Sequence, residues 1–479
     1  MTGKILYILL LTLVLADLGY SFLQYYNTPM DGDMSESIVP AHYINNVFES
    51  PLGLKIFREK TTYHNPNRFF SHWSLNKYFN SVPLFLQKFF GPIDSVYLSC
   101  AIIKTFTQVV LIFLLAFAIS GNSNVLKLDF ILSAALVTPF FQTNGFFTYM
   151  GIIDQSTTYV FFYALPITFL LLYFMPFFQK HYYKKRSTAN NFIKLLWIPL
   201  ALVICLSGPL NPGIILVVCL LVFLNHLIKN YSSSAQSDFL AKGINVIRQI
   251  PRDYLFYLIP IGVFSLYSLF LGRYNSSTID NHIPLIELYG RIPEGLYYQF
   301  TSKLGFPVLF SSIIINMVFI HRKFKSDEAQ KILTIFKWVL LFALVYIILL
   351  PLGGYRYYRP NVLRYDTIMP ITLSLIFLFG HSTLFLIKNI KEKQKRWYLP
   401  LIVFIAFIFT NSDEKKFDKN DCERMALKQI SESSDKVVKL EHDCTVISWS
   451  KIHNPKGSEL NSELLKIWGI TKEKKLYFH

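Results

Sequence analysis

Two aspartates separated by one glycine follow the first apolar stretch of the chain. Asp31, Gly32 and Asp33 lie a few residues after the segment 5–24, so both carboxylates would stand close to a membrane surface. Partial desolvation there raises the pKa of a carboxylate and makes it a stronger base. Such a group can deprotonate an incoming hydroxyl or amine, or bind a divalent cation through oxygen. Asp31 and Asp33 are therefore candidate catalytic residues, and the ordinary alternative is an Asp-Gly turn.

A second group of polar side chains follows in the same long segment. His64, Asn65, Arg68 and His72 lie among aromatic residues between two apolar stretches. Imidazole and amide groups hydrogen-bond to sugar hydroxyls, and aromatic rings cover the apolar faces of sugars. These four residues are predicted to bind a carbohydrate substrate. The alternative is a helix at the membrane surface, with its aromatic side chains among the lipid headgroups.

Three arginines lie close together late in the chain, before another apolar stretch. They are Arg356, Arg359 and Arg364, with Tyr358 between the first two. Guanidinium groups bind phosphate through paired N–H donors. We therefore predict that these arginines hold a lipid-linked phosphate, while Tyr358 packs against its isoprenoid chain. The alternative is that they reach lipid headgroups within an aromatic belt.

Ionisable residues also occur within or between the other apolar stretches. Asp154 lies in a polar break, and a carboxylate at membrane depth is a functional candidate by default, so we predict that it contacts substrate. The alternative is an ordinary loop position. Lys104 and Lys337 lie inside apolar stretches with no obvious acidic partner. The chain has no glycine-rich phosphate-binding loop, no His-Glu-x-x-His motif and no Gly-x-Ser-x-Gly motif.

The composition indicates what kind of protein must hold these residues in place. Of the 479 residues, 52% are hydrophobic and 16% are charged, against a usual ~25%. The formal net charge is +17, and the basic residues are spread between apolar stretches. These values exclude a cytosolic enzyme, a disulfide-rich secreted domain and a disordered chain, and they argue against nucleic-acid binding. The remaining class is a polytopic protein surrounded by membrane lipids.

The predicted fold is an all-α polytopic membrane protein with about eleven transmembrane helices, since a span needs ~20 mostly apolar residues. The predicted spans lie near 5–24, 97–119, 128–145, 157–178, 192–208, 213–228, 254–272, 305–320, 332–351, 366–387 and 398–410. The third, fifth, sixth and eleventh have the weakest apolar signal.

Charges in the loops predict the orientation of these spans. Lys and Arg gather in the loops 179–191, 321–331 and 388–397, which the positive-inside rule places in the cytoplasm. The N-terminus is then cytoplasmic, and the long first loop, 25–96, lies outside the cytoplasmic (inner) membrane. An odd number of spans puts the tail outside as well. The first span could instead be a cleaved signal peptide, which would leave every loop on the same side.

Two domains are predicted, a transmembrane domain over 1–410 and a small external α/β domain over 411–479. The elements predicted in the second domain are helices near 419–433 and 458–467, strands near 436–440 and 444–449, and a final short strand. Cys422 and Cys444 both lie in it, and a disulfide between them is permitted outside the cytoplasm. The tail itself carries no catalytic pattern and is expected to stabilise or dock.

In layout the chain resembles the GT-C superfamily of integral-membrane glycosyltransferases. The shared features are an acidic motif in a long first external loop, about eleven spans, a small external tail, and an external Arg-Tyr element before a late span. That element reads Arg364-Tyr365-Asp366-Thr-Ile-Met-Pro370. The resemblance covers nearly the whole chain, although its motifs are short.

The resemblance implies a reaction. A sugar would pass from a polyprenyl-phosphate donor to a glycan, lipid or protein acceptor outside the membrane, with inversion at the anomeric carbon. Asp31 or Asp33 would act as the base, and Arg364, together with Arg356 and Arg359, would contact the lipid phosphate. No cofactor is implied with certainty, and a divalent cation on the two aspartates stays open.

The chain also departs from that superfamily in two motifs. Asp-Gly-Asp stands where protein mannosyltransferases have an Asp-Glu pair, and the Trp-Trp-Asp-Tyr-Gly motif of oligosaccharyltransferases is absent. These departures leave the acceptor open and argue against protein N-glycosylation. The alternatives are an O-antigen polymerase or ligase, a transporter or lipid flippase, and a non-catalytic scaffold.

Overall fold

The computed structural model describes residues 3–185, 195–233, 248–279, 283–353 and 361–479. Within these ranges the chain is almost entirely helical, and eight helices are long and apolar enough to cross a membrane. The eight are Gly3–Tyr26, Pro92–Ser120, Thr157–Tyr182, Leu210–Tyr231, Arg252–Gly272, Gly305–Lys323, Asp327–Gly353 and Met369–Asn389. The fold is that of an α-helical multi-pass membrane protein, as predicted.

The other three predicted spans form helices that are shorter or more polar. Leu128–Val137 continues as a 3-10 turn to Phe140, and Trp197–Cys205 has only nine residues. The predicted segment 192–208 starts in residues outside the described ranges. Glu392–Ser412 has 21 residues, but its first turns carry two lysines, an arginine and a glutamate. Eight of the eleven predicted spans, including the sixth, therefore reach bilayer length and apolarity among the described residues.

Local sequence sets the ends of the long helices. Pro92 stands in the first turn of Pro92–Ser120, where its missing N–H is harmless, and Gly121 ends that helix at a φ of 67°. Ser326 begins the helix Asp327–Leu349 by accepting a hydrogen bond from the N–H of Ala329. These residues set where a helix enters the polar layer.

Buried polar side chains connect the spanning helices to one another. Tyr25 donates to Gln108 Oε1 over 2.8 Å, joining the first two spanning helices. Asn316 donates to Ser382 over 2.9 Å and accepts from Tyr398 over 2.9 Å. Water is excluded from the interior of such a bundle, so these hydrogen bonds satisfy polar groups that would otherwise lie unpaired among apolar side chains.

Short helices form the loops at one end of the bundle. In the first long loop they are Met34–Ile38, His42–Glu49, Leu54–Glu59, Phe69–Phe79 and Val82–Leu86. Later loops add Phe147–Met150, Ser276–Ile279 and Leu285–Thr301. The first loop packs on the spanning helices through a small core of its own, in which Val47, Ile56 and Tyr63 contact Leu206 and Leu271.

The tail contains two helices and two short strands. The helices are Asp421–Glu432 and Glu459–Ile467, and the strands Val437–Lys439 and Leu476–Phe478 pair in parallel. The predicted strand at 444–449 is wrong. Ile447 has a left-handed φ of 47°, and its N–H donates to the Glu423 carboxylate over 2.9 Å instead of to a neighbouring strand.

The tail packs against the first loop. Trp468 is fully buried, and its Nε1 donates to the Phe79 carbonyl over 3.1 Å. Gln87 donates to the Trp468 carbonyl over 2.6 Å. Glu423 accepts from the N–H of Met30 over 2.9 Å, next to the Asp-Gly-Asp motif. The tail and the first loop thus share one buried interface.

Candidate functional site

A cavity of about 1520 Å³ lies between the first loop, the tail and the ends of several spanning helices. Its wall includes most of the described residues that the sequence singled out. They are Asp33, His64, Asn65, Arg68, His72, Asp154 and Arg364. Residues far apart in the chain therefore meet in one space.

The two aspartates of the Asp-Gly-Asp motif have different surroundings. Asp31 is buried and is not among the residues that line the cavity. It accepts hydrogen bonds from the N–H of Thr158 over 3.1 Å and from the N–H of Asp33 over 3.3 Å. Burial raises the pKa of Asp31. Asp33 does line the cavity, so the structure separates a supporting carboxylate from an accessible one.

Asp154 contributes a second carboxylate to the cavity wall. Its Oδ1 accepts from the N–H of Ser156 over 2.7 Å, while its Oδ2 is buried with no hydrogen-bond partner among the described residues. Burial, reinforced by the neighbouring charge of Asp366, raises the pKa of Asp154 to about 7. This carboxyl group therefore changes charge near neutral pH.

Lys104 supplies a buried positive charge behind both carboxylates. Its ammonium nitrogen donates to the Gln155 carbonyl over 2.5 Å and lies 5.7 Å from the centre of the Tyr25 ring. Its charge acts on both Asp31 and Asp154. The sequence indicated no acidic partner for Lys104. In the structure the charges of Asp31 and Asp154 act on it from loops, although no ion pair of Lys104 is found among the described residues.

Arg364 is the one predicted phosphate-binding arginine within the described residues. Its Nη2 forms an ion pair with the buried carboxylate of Asp366, and its Nε is buried with no hydrogen-bond partner among the described residues. Arg356, Tyr358 and Arg359 lie outside the described residues. Because Arg364 also lines the cavity, its guanidinium group can offer charge-assisted hydrogen bonds to an anion bound there.

The predicted sugar-binding residues all line the same cavity. The Arg68 guanidinium lies 4.6 Å from the centre of the Phe162 ring. His72 Nδ1 lies 3.2 Å from Ser37 Oγ, and burial, reinforced by the charge of Arg68, lowers the pKa of His72 to about 3. His72 is therefore neutral at physiological pH.

The two remaining residues of this group are held by the loop after the helix Arg252–Gly272. His64 Nδ1 lies 3.2 Å from Ser276 Oγ. The N–H of Asn65 donates to Asn275 Oδ1 over 3.0 Å. The first loop is thereby fixed to a distant part of the chain at the cavity wall.

Apolar side chains from three spanning helices complete the wall. Leu216, Val217 and Leu220 come from Leu210–Tyr231, and Leu269 comes from Arg252–Gly272. Leu349 comes from Asp327–Gly353. The cavity therefore combines charged groups from the loops with an apolar surface from the bundle.

Some residues of the wall were missed by reasoning from the sequence. Trp449 of the tail lines the cavity and donates from Nε1 to Asp33 Oδ1 over 2.9 Å. Glu36 also lines it, bonded to the Tyr43 hydroxyl, with a pKa raised by burial. The position of Glu36, three residues after Asp33, was a usable signal, whereas nothing in the sequence indicated Trp449.

A divalent cation on the Asp-Gly-Asp motif finds little support in the geometry. Asp31 and Asp33 bond to different partners, a backbone N–H and an indole N–H. Among the residues that the structure describes, there is no group of three or more His, Cys, Asp or Glu side chains suited to hold a metal ion.

The predicted cysteine pair is joined in the structure. Cys422 and Cys444 form a disulfide, while Cys100, Cys205 and Cys219 are free and buried.

No protein-family model matches the chain, and no curated protein matches it.

Proposed function

We propose that this protein is a membrane glycosyltransferase that moves a sugar from a polyprenyl-phosphate donor to an acceptor at the outer face of the membrane. The observation that supports it is the double character of the cavity. Asp33, Asp154 and Arg364 line one part, and leucines of three spanning helices line another. A donor with an anionic, sugar-bearing head and a long hydrocarbon chain has the same two parts.

In this proposal Asp33 is the base, because it lines the cavity and Asp31 does not. The acceptor hydroxyl passes its proton to Asp33 as its oxygen bonds to the anomeric carbon. The bond between that carbon and the phosphate oxygen breaks, and the electron pair leaves with the lipid phosphate. Arg364, whose side chain lines the cavity, stabilises the departing charge with its guanidinium group. Attack from the face opposite the phosphate inverts the anomeric centre.

We further propose eleven crossings, with the N-terminus in the cytoplasm and a separate external domain over 411–479. Basic residues support this orientation, since they gather at the bundle end opposite the cavity, where Lys388 pairs with Asp129 over 2.6 Å. The three short or polar helices provide the crossings beyond the eight long ones. The disulfide supports an oxidising compartment for the tail.

Substitution of the two aspartates tests the catalytic proposal. Asp33→Asn removes the base and is expected to lower glycan transfer by about 100-fold or more, the usual contribution of a positioned base. Asp31→Asn is expected to lower glycan transfer less, because Asp31 only holds the backbone of Asp33 in place. The measurement is mass spectrometry of envelope glycans from cells with each variant and without the protein.

Asp435→Asn is the matched control, since Asp435 is an exposed carboxylate of the tail and should leave transfer unchanged. Equal expression and melting temperature would show that all three variants fold. Full transfer by Asp33→Asn would overturn the assignment of Asp33 as the base.

Arg364→Ala tests the proposed phosphate contact. Loss of a charge-assisted hydrogen bond should weaken binding of polyprenyl phosphate by about 10-fold to 100-fold, measured by native mass spectrometry in lipid nanodiscs. The double variant Arg364→Ala, Asp366→Asn is the control, because it also removes the Asp366 charge that Arg364→Ala leaves unpaired. Unchanged affinity in both variants would mean that Arg364 serves only the ion pair with Asp366.

A further inference from the structure

Trp449 reaches the cavity from the far end of the chain. It is 416 residues from Asp33, yet the two side chains share a hydrogen bond of 2.9 Å. Trp449 is 59% exposed and lines the cavity, whereas Trp468, the other tail tryptophan, is fully buried. A large aromatic side chain held at a cavity wall without being covered is a feature of ligand-binding surfaces.

One edge of the indole is fixed by the first loop. Nε1 donates to Asp33, and the neighbouring Cδ1 lies against Gly32, where an added Cβ would come within 2.6 Å. That Cβ would also lie 2.7 Å from the Trp449 backbone nitrogen, so only glycine allows this approach. More than half of the Trp449 surface stays exposed, and the Tyr159 ring, with its centre 6.1 Å away, stands beside the indole as a second aromatic wall.

The backbone that carries Trp449 is anchored independently of the cavity. The buried carboxylate of Glu423 accepts from the N–H of Ile447 over 2.9 Å and from the Tyr97 hydroxyl over 2.6 Å. The disulfide from Cys422 to Cys444 closes the same part of the tail. The indole is therefore held in place before any ligand enters, which lowers the entropy lost on binding.

We propose that Trp449 is a binding residue for the hexose ring of the donor, stacking its indole face on the C–H face of the sugar while its N–H holds Asp33 beside that ring. This inference rests on the proposed function. The carboxylate and the ring face belong to one rigid unit, so a sugar seated on the indole lies next to the group that receives the acceptor proton.

The test compares two lipids on the full-length, oxidised protein in nanodiscs. The probes are polyprenyl phosphate and the same lipid with one hexose on its phosphate, taken from a panel of glucose, mannose, galactose and N-acetylglucosamine. Wild type should bind at least one glycosylated lipid more tightly than the bare lipid. Trp449→Leu should lose about fivefold to tenfold of that gain while keeping its affinity for bare lipid, and Trp449→Phe should keep most of it.

Trp397→Leu is the matched control. Trp397 is 47% exposed on the helix Glu392–Ser412, packs on Phe319 and does not line the cavity. It should leave both affinities unchanged. Melting temperatures and disulfide content of the variants give an independent readout of folding, and Trp449→Phe keeps the test valid if the leucine variant is unstable.

Two negative outcomes are distinguishable. If wild type binds both lipids and Trp449→Leu keeps the full gain from the sugar, or weakens both lipids equally, the stacking role is overturned and the proposed function stands. If wild type binds neither lipid, the proposed function fails and this inference falls with it.

Discussion

Asp154 changes charge within the cavity near neutral pH, because burial raises its pKa to about 7. Below that pH the carboxyl group is neutral and presents no charge to an anionic ligand. Above it the group becomes a carboxylate in the same wall as Arg364. Ionisation of Asp154 therefore changes the electrostatic character of the cavity near neutral pH.

A donor with a phosphodiester head should bind less tightly as the pH rises from 6 to 8. Its own charge is constant over this range, so the change reports on the protein. Ionisation of Asp154 should weaken binding by about fivefold, on the order of 1 kcal/mol of repulsion. Titration calorimetry at several pH values measures it. Asp154→Asn should bind equally at pH 6 and pH 8, and a persisting slope would assign the effect to another group.

Lys104 is expected to stabilise the folded protein by balancing Asp31 and Asp154. Lys104→Met removes this positive charge and the hydrogen bond of the ammonium group to the Gln155 carbonyl, which should destabilise the protein by about 2 kcal/mol and lower its melting temperature. Circular dichroism in detergent measures it. Lys337→Met, at an exposed lysine of another spanning helix, should have little effect. Equal melting temperatures for the two variants would contradict the role of Lys104.

At the scale of elements, the helix Asp421–Glu432 is joined to the first loop by one buried carboxylate. Glu423 accepts hydrogen bonds from Met30, Ile447 and Tyr97. Burial raises its pKa to about 7, and the charge of Asp31 acts in the same direction. The folded state therefore binds a proton that the unfolded state, with an ordinary glutamate pKa, has already lost.

The contact between tail and first loop should weaken between pH 4.5 and 7 and change little above. Because the folded pKa is raised, stability is greatest below the unfolded pKa and falls by up to about 3 kcal/mol through this window. Hydrogen exchange at Met30 and Ile447, corrected for its intrinsic pH dependence, measures the change. Glu423→Gln should remove the slope, while Glu432→Gln, exposed on the same helix, should keep it. Identical slopes in all three proteins would refute the assignment to Glu423.

The sequence predicted helices well where a single local pattern determines the secondary structure. Long apolar runs such as Met369–Asn389 form spanning helices, and both tail helices lie within a few residues of their predicted bounds. The strand predicted at 444–449 does not form, because a disulfide and the buried Glu423 hold this segment in another conformation. Such tertiary contacts override a short pattern.

At the scale of the whole molecule, the site could be predicted in part. Asp33 and Arg364 share a cavity, as expected for two polar loops at the same end of a bundle. Trp449 and Lys104 could not be assigned, because their partners are set by packing between segments that no local pattern connects. The sequence can predict the side of the membrane on which a loop lies by a count of the spans. It cannot predict which side chains contact one another across the cavity.

The orientation of the whole chain can be tested with reporter fusions. A reporter after Thr410 should be active outside the cytoplasm, since the proposed topology places an odd number of crossings before it. The same reporter after Lys391, in a basic loop, should be active only inside. Alkaline phosphatase and a fluorescent protein that folds only in the cytoplasm give opposite readouts. Cytoplasmic activity at both positions would reject the eleven crossings.

The hydrogen bond between Asp33 and Trp449 has a consequence for synthesis of the protein. The first partner is translated early, and the second is translated 416 residues later. A nascent chain can insert most of its helices while this wall of the cavity is still missing. Messages truncated before the codon for Trp449 would therefore yield a membrane-inserted product with an incomplete pocket.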